Sequence, residues 1–97
     1  MDEPFSLSKA IKCIREIANF GDVRTTAHCR KRMVERGFSF QDLLSILLNG
    51  EIRREPEYDP NHDQYKYRVD GNTIDGDEAV AITVIVSVHA VLVVSIF

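Results

Sequence analysis

Apolar residues recur at three- and four-residue spacing near the start of the chain: Leu7, Ala10, Ile11, Ile14, Ile17 and Ala18, with Lys9, Lys12, Arg15 and Glu16 between them. That period lays one apolar stripe along an α-helix and leaves the charges for its outer side. Ser6 is placed to cap this helix, Lys12 and Glu16 pair at four residues, and Gly21 stops it. Residues 22–24 read as a short connector. Thr25 or Thr26 then caps a second helix that runs to about Arg36 and closes at Gly37. Cys29 and Met33 face inward on it, and His28, Arg32 and Arg36 form a neighbouring stripe. A third helix starts at Ser39. Asp42 sits at its third position as a short-armed capping box, and Phe38 and Leu43 are placed for a hydrophobic staple. Leu43, Leu44, Leu47 and Leu48 bury it, and Asn49-Gly50 ends it.

After Gly50 the period falls to two. Residues 51–55 read as a first, edge-like strand stopped by Pro56, and residues 58–63 as a loop rich in turn formers. Residues 64–70 alternate, with Tyr65, Tyr67 and Val69 on one face and Lys66, Arg68 and Asp70 on the other. A wide turn around Gly71-Asn72 and Asp75-Gly76-Asp77 leads to two apolar strands, about 79–87 and 91–97, joined near His89. Helices over about 6–49 followed by strands over about 51–97 predict one α+β domain: two to three helices on a three- to four-stranded antiparallel sheet.

Residues 79–97 carry no formal charge and are long enough to count as a membrane-span candidate. Eleven of those nineteen are Val, Ile or Thr, which favour strands, and no basic residue flanks the run, so two buried strands and no stable membrane association are expected. At 97 residues, 44% hydrophobic and 28% charged, the chain is sized and composed as a single globular domain. Cys13 and Cys29 form no Cys-x-x-Cys pair, the acidic Met1-Asp2-Glu3-Pro4 start is unlike a secretory signal, and a reduced cytoplasmic setting is expected. The three histidines show no metal spacing, and no metal or other cofactor is expected.

The net charge of −3 argues mildly against a strong sequence-independent nucleic-acid binder, but the charge is unevenly spread. Residues 24–36 hold five basic residues and one acid, and Arg53, Arg54, Lys66 and Arg68 punctuate the acidic stretch that follows. Metal-free RNA cleavage needs a base for the ribose 2′-hydroxyl, cations for the phosphorane-like transition state and an acid for the leaving 5′-oxygen. Lys66, Arg68, Tyr65, Tyr67 and His62 are candidates for those roles, with Arg53, Arg54, His28 and Arg32 as phosphate-binding residues. The alternative is structural. Tyr65 and Tyr67 then face the core, Lys66 and Arg68 are solvated or paired to Asp63 and Asp70, and His28 and Arg32 pack against the sheet.

The stretch from His28 to Ser39, with Arg32-Met33 and Glu35-Arg36-Gly37, followed by Leu43, Leu47 and Asn49-Gly50-Glu51-Ile52, resembles a widespread family of short bacterial domains of uncharacterised function. That family carries a His-x-x-x-Arg-Met-x-Glu-Arg-Gly signature ahead of an antiparallel sheet, and the likeness covers about residues 25–97. More loosely, Gly21-Asp22-Val23-Arg24-Thr25-Thr26, Ile82-Thr83-Val84-Ile85 and residues 91–95 are similar to the MqsR-type, RelE-like ribonuclease toxins of type II toxin–antitoxin systems. This second resemblance implies a RelE-like fold, a metal-independent messenger-RNA endonuclease, and neutralisation by a cognate antitoxin with zinc-binding and DNA-binding domains. Such toxins use a Lys, a Gln and a Tyr on and around the sheet. Here the Lys falls near Arg53 or Arg54, the Gln near Lys66 and the Tyr at Ala79. The competing expectation is a non-catalytic protein-binding module of the same fold.

Overall fold

A computed structural model describes residues 5–97, and the acidic start at residues 1–4, on which the export expectation rests, lies outside them. Three helices and five strands follow the order α1 (Leu7–Phe20), β1 (Asp22–Thr25), α2 (Ala27–Arg36), α3 (Phe40–Asn49), β2 (Glu57–Asp59), β3 (Gln64–Asn72), β4 (Glu78–Ser87) and β5 (Ala90–Ile96). The α+β class, the three helices and the antiparallel β3–β4–β5 meander are as the periodicity predicts. The sheet order is β1-β5-β4-β3-β2.

The helix ends follow from local chemistry. Thr26 caps α2 by accepting from the Cys29 N–H at 3.0 Å, and its hydroxyl donates to the Val94 carbonyl. Gly37 closes α2 at φ 68°, in the left-handed region that a Cβ disfavours. At α3 the full capping box forms between Ser39 and Asp42. Asp42 also accepts from the Ile74 N–H at 3.1 Å, tying α3 to the β3–β4 turn. Ile46 joins Leu43 and Leu47 in the core, while Leu44 and Leu48 are only half-buried.

Helices α1 and α3 cover one face of the sheet. Ala10, Ile14, Ile17, Leu43, Ile46 and Leu47 meet Tyr67, Val69, Ala81, Ile85, Val91 and Val93, all at or near zero exposure. Burying this apolar surface is the main force that holds the domain together. Among the described residues, α1 and α3 leave the opposite face, bearing Lys66, Arg68, Val80, Ile82 and Phe97, uncovered, and α2 borders it along β5.

Two expectations are corrected. Residues 22–25 are a strand, pairing in parallel with β5 from Asp22↔Ala90 to Thr25↔Val93, so the sheet is mixed and has five strands. Four residues are too few for a periodicity signal, and the partner lies at the other end of the sequence. The edge strand is also shifted. It spans 57–59, where a loop was expected, whereas residues 51–55 contribute only the bridge Glu51↔Asp70.

The uncharged run at 79–97 forms β4, β5 and the turn between them. No helix among the described residues is long and apolar enough to cross a membrane.

Candidate functional site

Two irregularities shape the helix-free face. On the β2 side, Glu51 pairs with Asp70 and Glu57 with Lys66, so the five residues 52–56 stand opposite only three, 67–69. Such a bulge turns side chains out of the ladder and re-aims them. Pro56, which lacks an N–H, sits within it. Ile52 tucks against the core, and Arg53, Arg54 and Glu55 swing over the sheet. On β5 the register slips between Ile82↔Ser95 and Thr83↔Val93, leaving Val94 as an extra residue. Val94 and Ser95 therefore both reach the open face, and inward parity passes from Val91 and Val93 to Ile96.

Between these irregularities lies a cavity of about 510 Å³ lined by His28, Arg54, Glu55, Glu57, Lys66 and Arg68 over a floor of Ile82, Val94, Ser95 and Phe97. His28 comes from α2 beside β5, Arg54 from the bulge, and Lys66 and Arg68 from alternate positions of β3. Four residues named from the sequence, on three separate elements, thus share one concave surface. Neither the His28 nor the Arg54 side chain has a hydrogen-bond or ion-pair partner among the described residues. Arg68 donates through Nε to Asp70 at 3.2 Å, and its guanidinium lies 6.0 Å from the centre of the Phe97 ring.

Beside this cavity, Asp59 organises a second group. Its side chain is about 10% exposed, with Oδ2 2.8 Å from His62 Nδ1 and 3.4 Å from Lys66 Nζ. A carboxylate only accepts, so His62 Nδ1 carries a proton, and in the neutral imidazole this contact leaves Nε2 as the nitrogen with the lone pair. The imidazole itself is 69% exposed and open to a ligand. Oδ1 accepts from the Asn61 N–H at 3.0 Å, an Asx turn that fixes the carboxylate's direction. The His62 hydrogen bond, reinforced by Asn61 and Lys66, holds the Asp59 carboxyl below the usual carboxylate range. An acid with a depressed pKa loses its anionic form only as pH falls through that lowered value, so the tether persists at neutral and mildly acid pH.

Other expected site residues lie elsewhere. Tyr67 is buried on the helix-covered face, where its hydroxyl accepts from the Phe5 N–H at 2.7 Å and donates to the Phe5 carbonyl at 3.2 Å. Burial raises its pKa. Tyr65 shares that face, half-buried, its ring 5.2 Å from that of Tyr58. Strand alternation separates both tyrosines from Lys66 and Arg68. Arg32 donates from Nε to the Ile96 carbonyl, pinning α2 along β5, and does not line the cavity. Arg53 pairs with Glu51 and lines an adjoining cavity of about 360 Å³ that shares Arg68 and Phe97 with the first. Ala79, where the second resemblance places a tyrosine, is buried at the back of that adjoining cavity.

Sequence reasoning passed over Asp59 and Phe97. The Asp59-Pro60-Asn61-His62 run carries an Asx-turn signal that brings the carboxylate near the imidazole. Phe97 gives no such local signal, because its place depends on pairing with Val80.

These placements predict that Tyr67→Phe lowers stability by about 1 kcal/mol, the worth of a hydrogen bond, and leaves activity at the open face unchanged. A thermal melt alongside a cleavage assay checks this; a loss of activity without a loss of stability would return Tyr67 to the site.

A family model for a domain of unknown function, DUF4258, matches residues 25–97. The chain belongs to the DUF4258 family. The matched region begins at the last residue of β1 and takes in α2, α3 and strands β2 to β5, so every residue of the groove lies inside the DUF4258 domain while α1 precedes it. No curated protein and no solved structure matches the chain significantly. Among the described residues, no three or more His, Cys, Asp or Glu side chains gather where they could hold a metal ion.

Proposed function

We propose that this DUF4258 domain binds RNA along the helix-free face and cleaves it without a metal, as the RelE-like toxin of a bacterial toxin–antitoxin pair. The observation that carries the reading is the convergence of His28, Arg54, Lys66 and Arg68 on one cavity beside an exposed His62 that Asp59 holds through Nδ1. Cations over an apolar floor suit a phosphodiester backbone with its bases against the sheet. His62 Nε2 takes the proton from a ribose 2′-hydroxyl, whose oxygen attacks the adjacent phosphorus. Lys66 and Arg68 stabilise the added charge on the non-bridging oxygens. The P–O5′ bond breaks, His28 on the opposite wall donates a proton to the departing 5′-oxygen, and a 2′,3′-cyclic phosphate remains. A cognate antitoxin, of the type with zinc-binding and DNA-binding domains, covers the face in the resting pair.

The test is incubation of the purified chain with a long RNA in EDTA, as naked RNA and in a translating extract, with the new ends mapped. Cuts bearing 2′,3′-cyclic or 3′-phosphate ends are expected. His62→Ala is expected to slow cleavage by about 10²- to 10⁴-fold, the worth of a positioned acid or base, with RNA binding retained. Cuts that vanish only because EDTA is present would refute the metal-free chemistry.

A second reading is favoured by Glu55 and Glu57, which place two carboxylates in the same cavity. In it the face is a non-catalytic docking surface for a partner protein. RNA that stays intact in both settings, with no RNA binding, would favour that reading.

A further inference from the structure

The adjoining 360 Å³ cavity has a different chemistry from its neighbour. Across the sheet, Asp70 pairs with Val80, and Val80 exchanges two backbone hydrogen bonds with Phe97, N to O at 2.6 Å and 2.9 Å. Asp70, Val80 and Phe97 therefore form one row on the open face, and Asn72 with Glu78 forms the next. Because both backbone groups of Phe97 are engaged, its position is fixed by the sheet. Phe97 remains 38% exposed, and Arg68, shared by both cavities, lies against its ring.

From Lys66 toward Glu78 the groove thus passes over an aromatic ring to Asp70 and Glu78, with Arg53, paired to Glu51, also lining the second cavity. Asp70 is engaged by Arg68, and Asn72 donates its amide to the Gly76 carbonyl. The Glu78 carboxylate has no hydrogen-bond or ion-pair partner among the described residues. Two acceptor oxygens beside an aromatic platform complement a base that presents two donors side by side. Guanine, with N1–H and the N2 amine on its Watson–Crick edge, does so; adenine, cytosine and uracil each offer a single donor group there.

We infer that this second cavity is a nucleobase subsite for guanine in single-stranded RNA, with the ring stacked on Phe97 and the Watson–Crick donors on Glu78. The inference rests on the RNA reading above and adds its specificity. A guanine seated here places the neighbouring phosphate at Arg68, toward Lys66 and Arg54. Duplex RNA is excluded, because that edge of the base is then occupied.

The experiment measures binding of short uridine-rich RNAs carrying one central G, A, C or inosine by fluorescence anisotropy in EDTA, with wild type, Glu78→Ala and Phe97→Leu. Wild type is expected to favour the G-containing RNA over the A- and C-containing ones by between about fivefold and about 150-fold, the range of one bidentate base contact. Inosine, which lacks the N2 amine, is expected to fall between. Glu78→Ala should erase the preference, bringing the G-containing RNA to the affinity of the A- and C-containing ones. Phe97→Leu should weaken every RNA by about fivefold or more through lost stacking. Equal affinity of wild type for all bases, or a guanine preference that survives Glu78→Ala, overturns the subsite while RNA binding itself stands. A wild type that binds none of these RNAs removes the RNA reading and the subsite together.

Discussion

Alanine at both Lys66 and Arg68 is expected to reduce RNA cleavage at least about a thousandfold, since removing one preorganised donor from a developing charge costs roughly 10²- to 10³-fold. The two cations stand at alternate positions of β3 on one face and are each about one-third exposed. They belong to the groove and contribute little to the core. Lys66 bridges to Asp59 and Arg68 to Asp70, and partly exposed pairs of this kind contribute between about 0 and 1 kcal/mol. Asp59 keeps His62 and the Asn61 N–H when Lys66 is removed, so it is not left bare. The double variant should therefore melt within a few degrees of wild type. Its RNA affinity should also fall less steeply with salt, because each lost phosphate contact removes about 0.7 from the slope for a single strand. Undiminished cleavage by a folded double variant would place the chemistry elsewhere on the molecule.

The largest effect on stability is expected from Gly50→Ala. Gly50 has ordinary extended backbone angles, φ −78° and ψ 175°, so the constraint is space and not conformation. A methyl group there would stand 2.4 Å from the Ile46 carbonyl oxygen, 2.7 Å from Val69 Cγ1 and 2.8 Å from the Asp70 carbonyl oxygen. Two of these neighbours are backbone, one on α3 and one on β3, and neither yields cheaply. The Gly50 N–H donates to Ile46 at 2.8 Å, and its carbonyl accepts from Arg15 Nη2 at 2.9 Å. Moving α3 off β3 to admit the methyl breaks or strains both bonds. Overpacking alone costs about 1–3 kcal/mol, so a total of about 3 kcal/mol or more is expected, lowering Tm by roughly 12–24 °C in a domain of this size. Gly71, whose added Cβ would come no closer than 3.0 Å, is the comparison and should lose less. A Gly50→Ala protein that melts with wild type would show that the close approach of α3 to β3 is not needed.

The helices were legible because capping and periodicity are local. Ser6, Thr26 and Ser39 cap where their chemistry puts them, and Gly37 closes α2 in the left-handed conformation that a glycine readily adopts. The alternation of β3 correctly separated Lys66 and Arg68 from Tyr67 and Val69. It could not say which face the helices would cover, and that single fact moves Tyr65 and Tyr67 away from the groove. The parallel pairing of β1 with β5 and the bulge at residues 52–56 were illegible for a related reason. Both are set by partners distant in sequence, and the bulge adds residues on one strand without changing their hydropathy. His28 and Arg54 are brought to Lys66 and Arg68 by those two features, so the candidates were named from the sequence but their meeting was not.

The pairing of β1 with β5 also bears on when the groove takes shape during synthesis. Thr26 holds the carbonyl of Val94, 68 positions later, and the ladder from Asp22 to Thr25 closes only on the final strand. A nascent chain still attached to the ribosome at Ser87 has made every cation of the groove. It has not yet made Ser95 and Phe97 of the floor, nor the strand on which α2 rests to carry His28 into place. Contacts this far apart in sequence form late, since the chain entropy of closing the loop opposes them until β5 arrives. A cell making this protein therefore meets an assembled groove only once β5 has emerged, however early the cations themselves are made.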